Sequence, residues 1–146
     1  MKKILAILAI AIISVGAACA RDRVTTNPGE LPQAARAFIQ KHFAKTAVNH
    51  IKIDDNLIGG DDYDVVLDNG AEIDFNSDGE WTEIDCGRMG VPTSVVLPAI
   101  TNYVSKNFRG AKVSSISKKR NKYEVELTNG LDMEFSRAGA FLRMDD

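Results

Sequence analysis

Apolar and polar residues alternate with a period of two along residues 63–85, YDVVLDNGAEIDFNSDGEWTEID, and the pattern returns along residues 123–145, YEVELTNGLDMEFSRAGAFLRMD. The spacing is 123 − 63 = 60 residues. Tyr, Val, Leu, Asn, Gly, Phe, a second Gly and the closing Asp recur in place, so the chain carries an internal repeat. Each copy reads as a β-meander of three alternating strands joined by an Asn-Gly turn and a second glycine-containing turn. Upstream of each meander the period changes. Ala34, Ala35, Phe38, Ile39 and Phe43 fall at helical spacing, as do Ile100, Tyr103, Val104 and Phe108, and Pro32 and Pro98 are tolerated in a first helical turn. Between helix and meander, Val48, Ile51 and Ile53 in copy one and Val113 and Ile116 in copy two mark one further strand each. The expected fold is α+β. Each repeat is a helix plus a four-stranded antiparallel meander, and the apolar stripe of each helix must lie on a sheet.

Turn chemistry sets the register. A two-residue Asn69-Gly70 loop would oppose apolar residues to charged ones along the whole hairpin. A three-residue loop of Asp68, Asn69 and Gly70, with Gly70 left-handed, pairs Tyr63 with Phe75, Val65 with Ile73 and Leu67 with Ala71. Thr128, Asn129 and Gly130 give the same result: Tyr123 with Phe135, Val125 with Met133 and Leu127 with Leu131. One face of each meander is then dry. The other carries Asp64, Val66, Glu72 and Asp74 in copy one and Glu124, Glu126, Asp132 and Glu134 in copy two. For the last strand, a four-residue loop 76–79 turns Thr82, Ile84, Leu142 and Met144 inward. It turns Trp81, Glu83, Asp85, Phe141, Arg143 and Asp145 outward. The alternative, one residue out of phase, buries Trp81 and Phe141 beneath the helices.

The beginning of the chain belongs to export. Met1, Lys2 and Lys3 form a positive n-region, residues 4–15 are apolar, and Ala18-Cys19-Ala20 is a small-residue cleavage signal. The expectation is a signal peptide over residues 1–20, a polar flexible lead-in over 21–29 and a single domain over 30–146, made of repeats 30–86 and 91–146. Cleavage after Ala20 places the protein in the periplasm or outside the cell. The alternative is a lipoprotein anchored through Cys19. The apolar run is too short for a membrane span, and Arg21, Asp22 and Arg23 follow it directly. Removing Lys2 and Lys3 leaves 16 basic against 20 acidic residues, 18 − 2 against 20, without the basic patch that nucleic acid demands. The basic cluster Lys118, Lys119, Arg120 and Lys122 sits where a solvated hairpin turn is expected. Cys86 is the cysteine left in the domain and reads as a buried small residue.

Catalytic chemistry is hard to find. His42 and His50 lack metal-ligand spacing, and no serine sits in a nucleophile elbow. Asp64 facing Asp74 would act as an acid and base pair only if desolvated, and an open face is wet. No cofactor is expected. Asp54, Asp55, Asp61 and Asp62 bracket a glycine-containing loop and are weak candidates for Ca²⁺, off the EF-hand spacing. The stronger feature is an aromatic pair among carboxylates. Trp81 and Phe141 would anchor a partner, with Asp64, Glu72, Asp74, Glu83, Glu124, Asp132, Glu134 and Arg143 setting its charge preference.

The doubled order of a helix ending in Phe, a strand, and then Tyr…Asn-Gly…Phe…Gly-[Trp/Phe]…Asp covers residues 30–146. It resembles the PepSY-like, β-lactamase-inhibitor-like secreted proteins of Gram-negative bacteria. The resemblance implies that the two sheets join edge to edge into one curved sheet of about eight strands, with both helices on one face. It also implies that the open concave face is the gripping surface. The β-lactamase inhibitor protein carries disulfides in its repeats, whereas this domain can form none, and fold alone does not confer inhibition. The functional expectation is a non-enzymatic envelope module that binds a protein or peptide and restrains a peptidase or other enzyme. The alternative is a divalent-cation-binding protein using the 54–62 loop or the acidic face.

Overall fold

A computed structural model describes residues 22–145. The expected signal peptide and Cys19 lie outside the described residues, as does Asp146. Nine strands form one antiparallel sheet in strict chain order: β1 (Arg23–Thr25), β2 (Val48–Asp54), β3 (Asp62–Leu67), β4 (Glu72–Phe75), β5 (Trp81–Asp85), β6 (Val113–Lys118), β7 (Lys122–Leu127), β8 (Asp132–Ser136) and β9 (Phe141–Asp145). Two helices, α1 (Gln33–His42) and α2 (Pro98–Asn107), precede β2 and β6. Copy one ends at β5 and copy two opens at β6, and these two strands pair directly.

Both helices cover the same face. Ala35 and Ile39 of α1 and Ile100 and Val104 of α2 are buried in one cluster with Ile51, Val65, Ile73, Ile84, Ile116, Val125 and Met133 of the sheet. The rings of Phe75 and Phe135 sit at its centre, met edge-on by Phe38 and Tyr103. Phe43 and Phe108 end the helices, each donating its N–H to the carbonyl four residues back, Ile39 and Val104. Burying a large apolar side chain contributes roughly 1.5–3 kcal/mol, so this single dry layer holds the two copies together as one unit.

The Asn-Gly turns adopt the expected register. Gly70 and Gly130 have φ of 85° and 86°, and Leu67 and Leu127 donate to the carbonyls of Ala71 and Leu131. The β4–β5 and β8–β9 turns depart from expectation and repeat this three-residue geometry instead. Gly79 donates to the Asn76 carbonyl and Asn76 to that of Glu80; Gly139 and Ser136 do the same in copy two. The shorter loop sets Trp81 opposite Phe75 and Phe141 opposite Phe135, on the helix face. A one-residue bulge follows, because Glu83 pairs with Asp74 and Arg143 with Glu134. The extra residues are Thr82 and Leu142. Two single-residue changes cancel, so Ile84 is inward and Glu83, Asp85 and Arg143 are outward as expected. The outward placement of Trp81 and Phe141 and the inward placement of Thr82 and Leu142 are corrected.

A second departure is at the front of the domain. Arg23–Thr25, read as part of a flexible lead-in, is a strand on the outer edge of β2. Glu30 pins it, accepting hydrogen bonds from the Arg23 guanidinium and from Thr25 Oγ1. This strand makes the sheet nine-stranded where eight were expected.

Candidate functional site

Among the described residues, nothing covers the face away from the helices from β2 to β9. Residue partners line up in two rows across the sheet. One runs Lys52, Asp64, Asp74, Glu83, Ser117, Glu124, Glu134, Arg143 from β2 to β9. The other runs His50, Val66, Glu72, Asp85, Ser115, Glu126, Asp132, Asp145. Each row holds five carboxylates. At about 4.8 Å per strand, seven steps give rows of about 34 Å. The rows follow from the repeat: each copy sends its acidic positions to the same pleat. The serines mark the seam, where β6 reads Ser115-Ile116-Ser117. A groove of about 900 Å³ runs over the centre of this face, lined by nearly all of these side chains.

Like charges directly opposite each other destabilise a sheet. Asp64 opposite Asp74, Asp74 opposite Glu83, Glu72 opposite Asp85, Glu124 opposite Glu134, Glu126 opposite Asp132 and Asp132 opposite Asp145 are six such pairs. The two copies answer this repulsion differently. In copy two, Glu134 is buried, and Arg143 grips it with two hydrogen bonds of 2.9 and 2.8 Å while Lys122 adds a third of 2.5 Å. Those cations hold its carboxyl down to about 2. Lys122 and Lys119 also reach Glu124, at 3.1 and 3.8 Å, and Arg143 reaches Asp145 at 3.4 Å.

Copy one has one lysine on this face, Lys52, and its closest ion pair is to Asp54 at 2.7 Å. Burial, followed by the charge of Asp54, raises the Asp64 pKa above the ordinary carboxylate value. Glu72 is raised by burial and then by Asp85, Asp64 and Glu83. Burial is the larger cause of both shifts, and the neighbouring carboxylates add to it.

The face brings together Asp64, Glu72, Asp74, Glu83, Glu124, Asp132, Glu134 and Arg143. It does not include the two expected anchors. Trp81 stacks on Tyr123 at 6.4 Å and lies 6.5 Å from Phe38, with Lys118 Nζ 4.2 Å above its ring. Phe141 stacks on Tyr103 of α2 at 4.7 Å. The seam serines and Lys52 went unremarked in the sequence, and His50, weighed there only as a metal ligand, stands at the end of the second row. The alternation Ser-Ile-Ser and His-Ile-Lys-Ile around the buried isoleucines of β6 and β2 is the signal that places them.

The acidic loop does not form a cluster. Lys52 engages Asp54, and Asn56 donates to Asp62 at 3.0 Å. Among the described residues no group of three or more His, Cys, Asp or Glu side chains is placed to hold a metal. His42 sits on the helix side, its Nδ1 2.8 Å from Ser94 Oγ, and His50 Nδ1 lies 2.9 Å from Asn49 Oδ1. Cys86 is buried, and burial pushes its thiol up to about 11, which keeps it unreactive.

A nine-stranded open sheet backed by two helices and showing one bare acidic face defines a helix-backed sheet scaffold with its free surface on the side opposite the helices. The chain belongs to the family described as "Putative beta-lactamase-inhibitor-like, PepSY-like", whose model matches residues 61–143. It is similar to a crystal structure described as "a putative periplasmic protein of unknown function" from Bacteroides vulgatus ATCC 8482. That likeness has 44% identity and a TM-score of 0.80, over 86% of this chain and 100% of that one. A second structure is a "putative calcium-regulated periplasmic protein" from Bacteroides thetaiotaomicron, with 30% identity and a TM-score of 0.79, over 86% of this chain and 97% of that one. A third, a "putative periplasmic protein from DUF2874 family" from Bacteroides vulgatus ATCC 8482, has 33% identity and a TM-score of 0.77, over 90% of this chain and 100% of that one. No curated protein matches the chain. Among the described residues no helix is long and apolar enough to cross a membrane.

Proposed function

We propose that the protein is a non-enzymatic periplasmic binding module whose open sheet face receives a basic, extended segment of a protein or peptide. The observation that carries this reading is the pair of carboxylate rows. A sheet that sets like charges opposite one another gives up stability, and a cationic ligand lying across the strands would offset that repulsion. The row length of about 34 Å fits about ten residues of extended chain at roughly 3.3 Å each. Periplasmic relatives and the apolar, charged-terminus start of the sequence support the location. Restraint of an envelope enzyme would follow if the bound segment belonged to one.

Titration with a ten-residue lysine-rich peptide tests the reading. The protein should bind it with an affinity that falls as salt rises. Asp74→Asn with Glu83→Gln should weaken binding by about threefold to tenfold, since each exposed charge pair contributes roughly 0.2–1 kcal/mol. Asp55→Asn with Asp61→Asn, away from the rows, should leave it unchanged. Equal affinity in both double variants would refute the proposal.

A second reading is favoured by one observation, the calcium-regulated description of the 30% identical relative. Carboxylates that crowd one another, as Glu72 does with Asp85, also suit a hard divalent cation. Calorimetry separates the two: heat with Ca²⁺ that disappears in Glu72→Gln would support the cation, and no heat at millimolar Ca²⁺ would remove it.

A further inference from the structure

The repeat shows what an exposed final strand of a copy looks like when it is covered. In copy one that strand, β5, pairs antiparallel with β6, so Ile84 faces Ile116 and the acids Glu83 and Asp85 face Ser117 and Ser115. At the opposite edge β1 takes the place of β5, setting Thr25 against Ile51 as Ile84 stands against Ile116. At that edge the charged Arg23 side chain is bonded back to Glu30, which blunts it against further pairing. Among the described residues, nothing pairs with the outer edge of β9, the final strand of copy two. All five residues of β9 are exposed, including Leu142 at 53% and Met144 at 39%. A five-residue edge with apolar side chains is a template for another strand.

We propose that β9 is the docking edge for β9 of a second copy of this chain, making a two-fold dimer with one continuous sheet. Its own sequence supplies the complement. Arg143 and Asp145 lie on the open face, where their partners Glu134 and Asp132 lie, and Met144 lies on the helix face opposite Met133. An antiparallel pairing centred on Met144 sets Met144 against Met144 of the other copy and places Arg143 opposite Asp145 twice. The register one residue away sets Arg143 against Arg143 and is repelled. Residues that oppose each other in antiparallel strands share a face, so the two-fold axis is normal to the sheet and both open faces lie on one side. The contact is small, so the dimer is weak and concentration-dependent.

Sedimentation velocity of the full-length protein from about 10 μM to about 1 mM tests this by mass action. The expected result is a monomer converting to a dimer. Asp145→Lys, which replaces both attractive pairs by repulsive ones, should raise the dissociation constant by about tenfold or more. Met144→Cys in a Cys19→Ser background should form an intermolecular disulfide under mild oxidation. Directly opposed Cα atoms are about 4.5–5.5 Å apart, within reach of that bond. Leu57→Cys, on a fully exposed loop, serves as the control and should cross-link far more slowly. A chain that stays monomeric throughout, a dimer indifferent to Asp145→Lys, or equal cross-linking at positions 57 and 144 would overturn the proposal.

Discussion

Trp81→Ala separates two views of the protein: one in which the ring is a ligand anchor and one in which it closes the helix layer. The ring is half-buried, stacked on Tyr123 at 6.4 Å, near Phe38 at 6.5 Å and under Lys118 at 4.2 Å. Truncating a fully buried Trp costs about 3–5 kcal/mol, so half burial scales to about 2 kcal/mol. The stacked pair and the cation–π contact add about 1 kcal/mol. The sum of about 3 kcal/mol should lower the midpoint of a domain of this size by about 10 °C. Urea unfolding followed by far-UV circular dichroism measures it, because the substitution removes the protein's single Trp. Binding of the lysine-rich peptide should be unaltered in the folded variant. A loss below about 0.5 kcal/mol, the level of an ordinary surface change, together with weakened peptide binding, would refute the placement.

Two further outcomes follow from the turns and the charges. Gly79→Ala should cost clearly more than Gly70→Ala. Both glycines are left-handed, a cost of about 1–2 kcal/mol for an added Cβ. Only at Gly79 would that Cβ meet backbone, 2.9 Å from the Ala35 nitrogen, whereas Gly70 opens to space; equal losses in denaturant titration would contradict the packing of this turn on α1. Glu134 has its folded pKa lowered, so the stability it lends is present above the ordinary carboxylate value of 4.5 and is lost as pH falls toward about 2. Glu134→Gln should therefore be less stable than the parent at neutral pH, with the gap closing across that window in a series of melts. A gap that persists below it would point to packing instead of charge.

The sequence makes the register of the Asn-Gly hairpins legible because two constraints agree there. Only glycine takes the left-handed position at low cost, and only one loop length keeps Val65, Ile73, Val125 and Met133 on a common face. Ser77-Asp78-Gly79 offers the same turn, but its pattern is ambiguous. Trp81, Thr82 and Ile84 are all compatible with burial, and a bulge inserts a residue without any marker of its own. Thr82 Oγ1 does bond the Asp74 carbonyl at 3.3 Å, a compensation visible only once the strands are paired. Leu142 occupies the equivalent place with no hydroxyl, and it is left exposed. Arg23–Thr25 was illegible for another reason: three residues carry too little periodicity to show a strand, and their cover on β2 is a long-range pairing.

The asymmetry of the two rows limits how the open face works. Asp64 and Glu124, Glu72 and Asp132, Asp74 and Glu134, and Asp85 and Asp145 match across the two halves, yet copy two commits Arg143 and Lys122 to Glu134 and so ties β7 and β9 to β8. That lock removes Glu134 from the charge a ligand would feel, since a carboxylate already bound by two cations offers little to a third. In copy one, Asp64 and Glu72 are raised first by burial and then by neighbours of the same sign, and a cation placed beside them would relieve the second effect. On the reading proposed above, the half of the groove from copy two is structural and the half from copy one is the one that would receive a cation. The uncharged serine seam of β6 lies between the two halves.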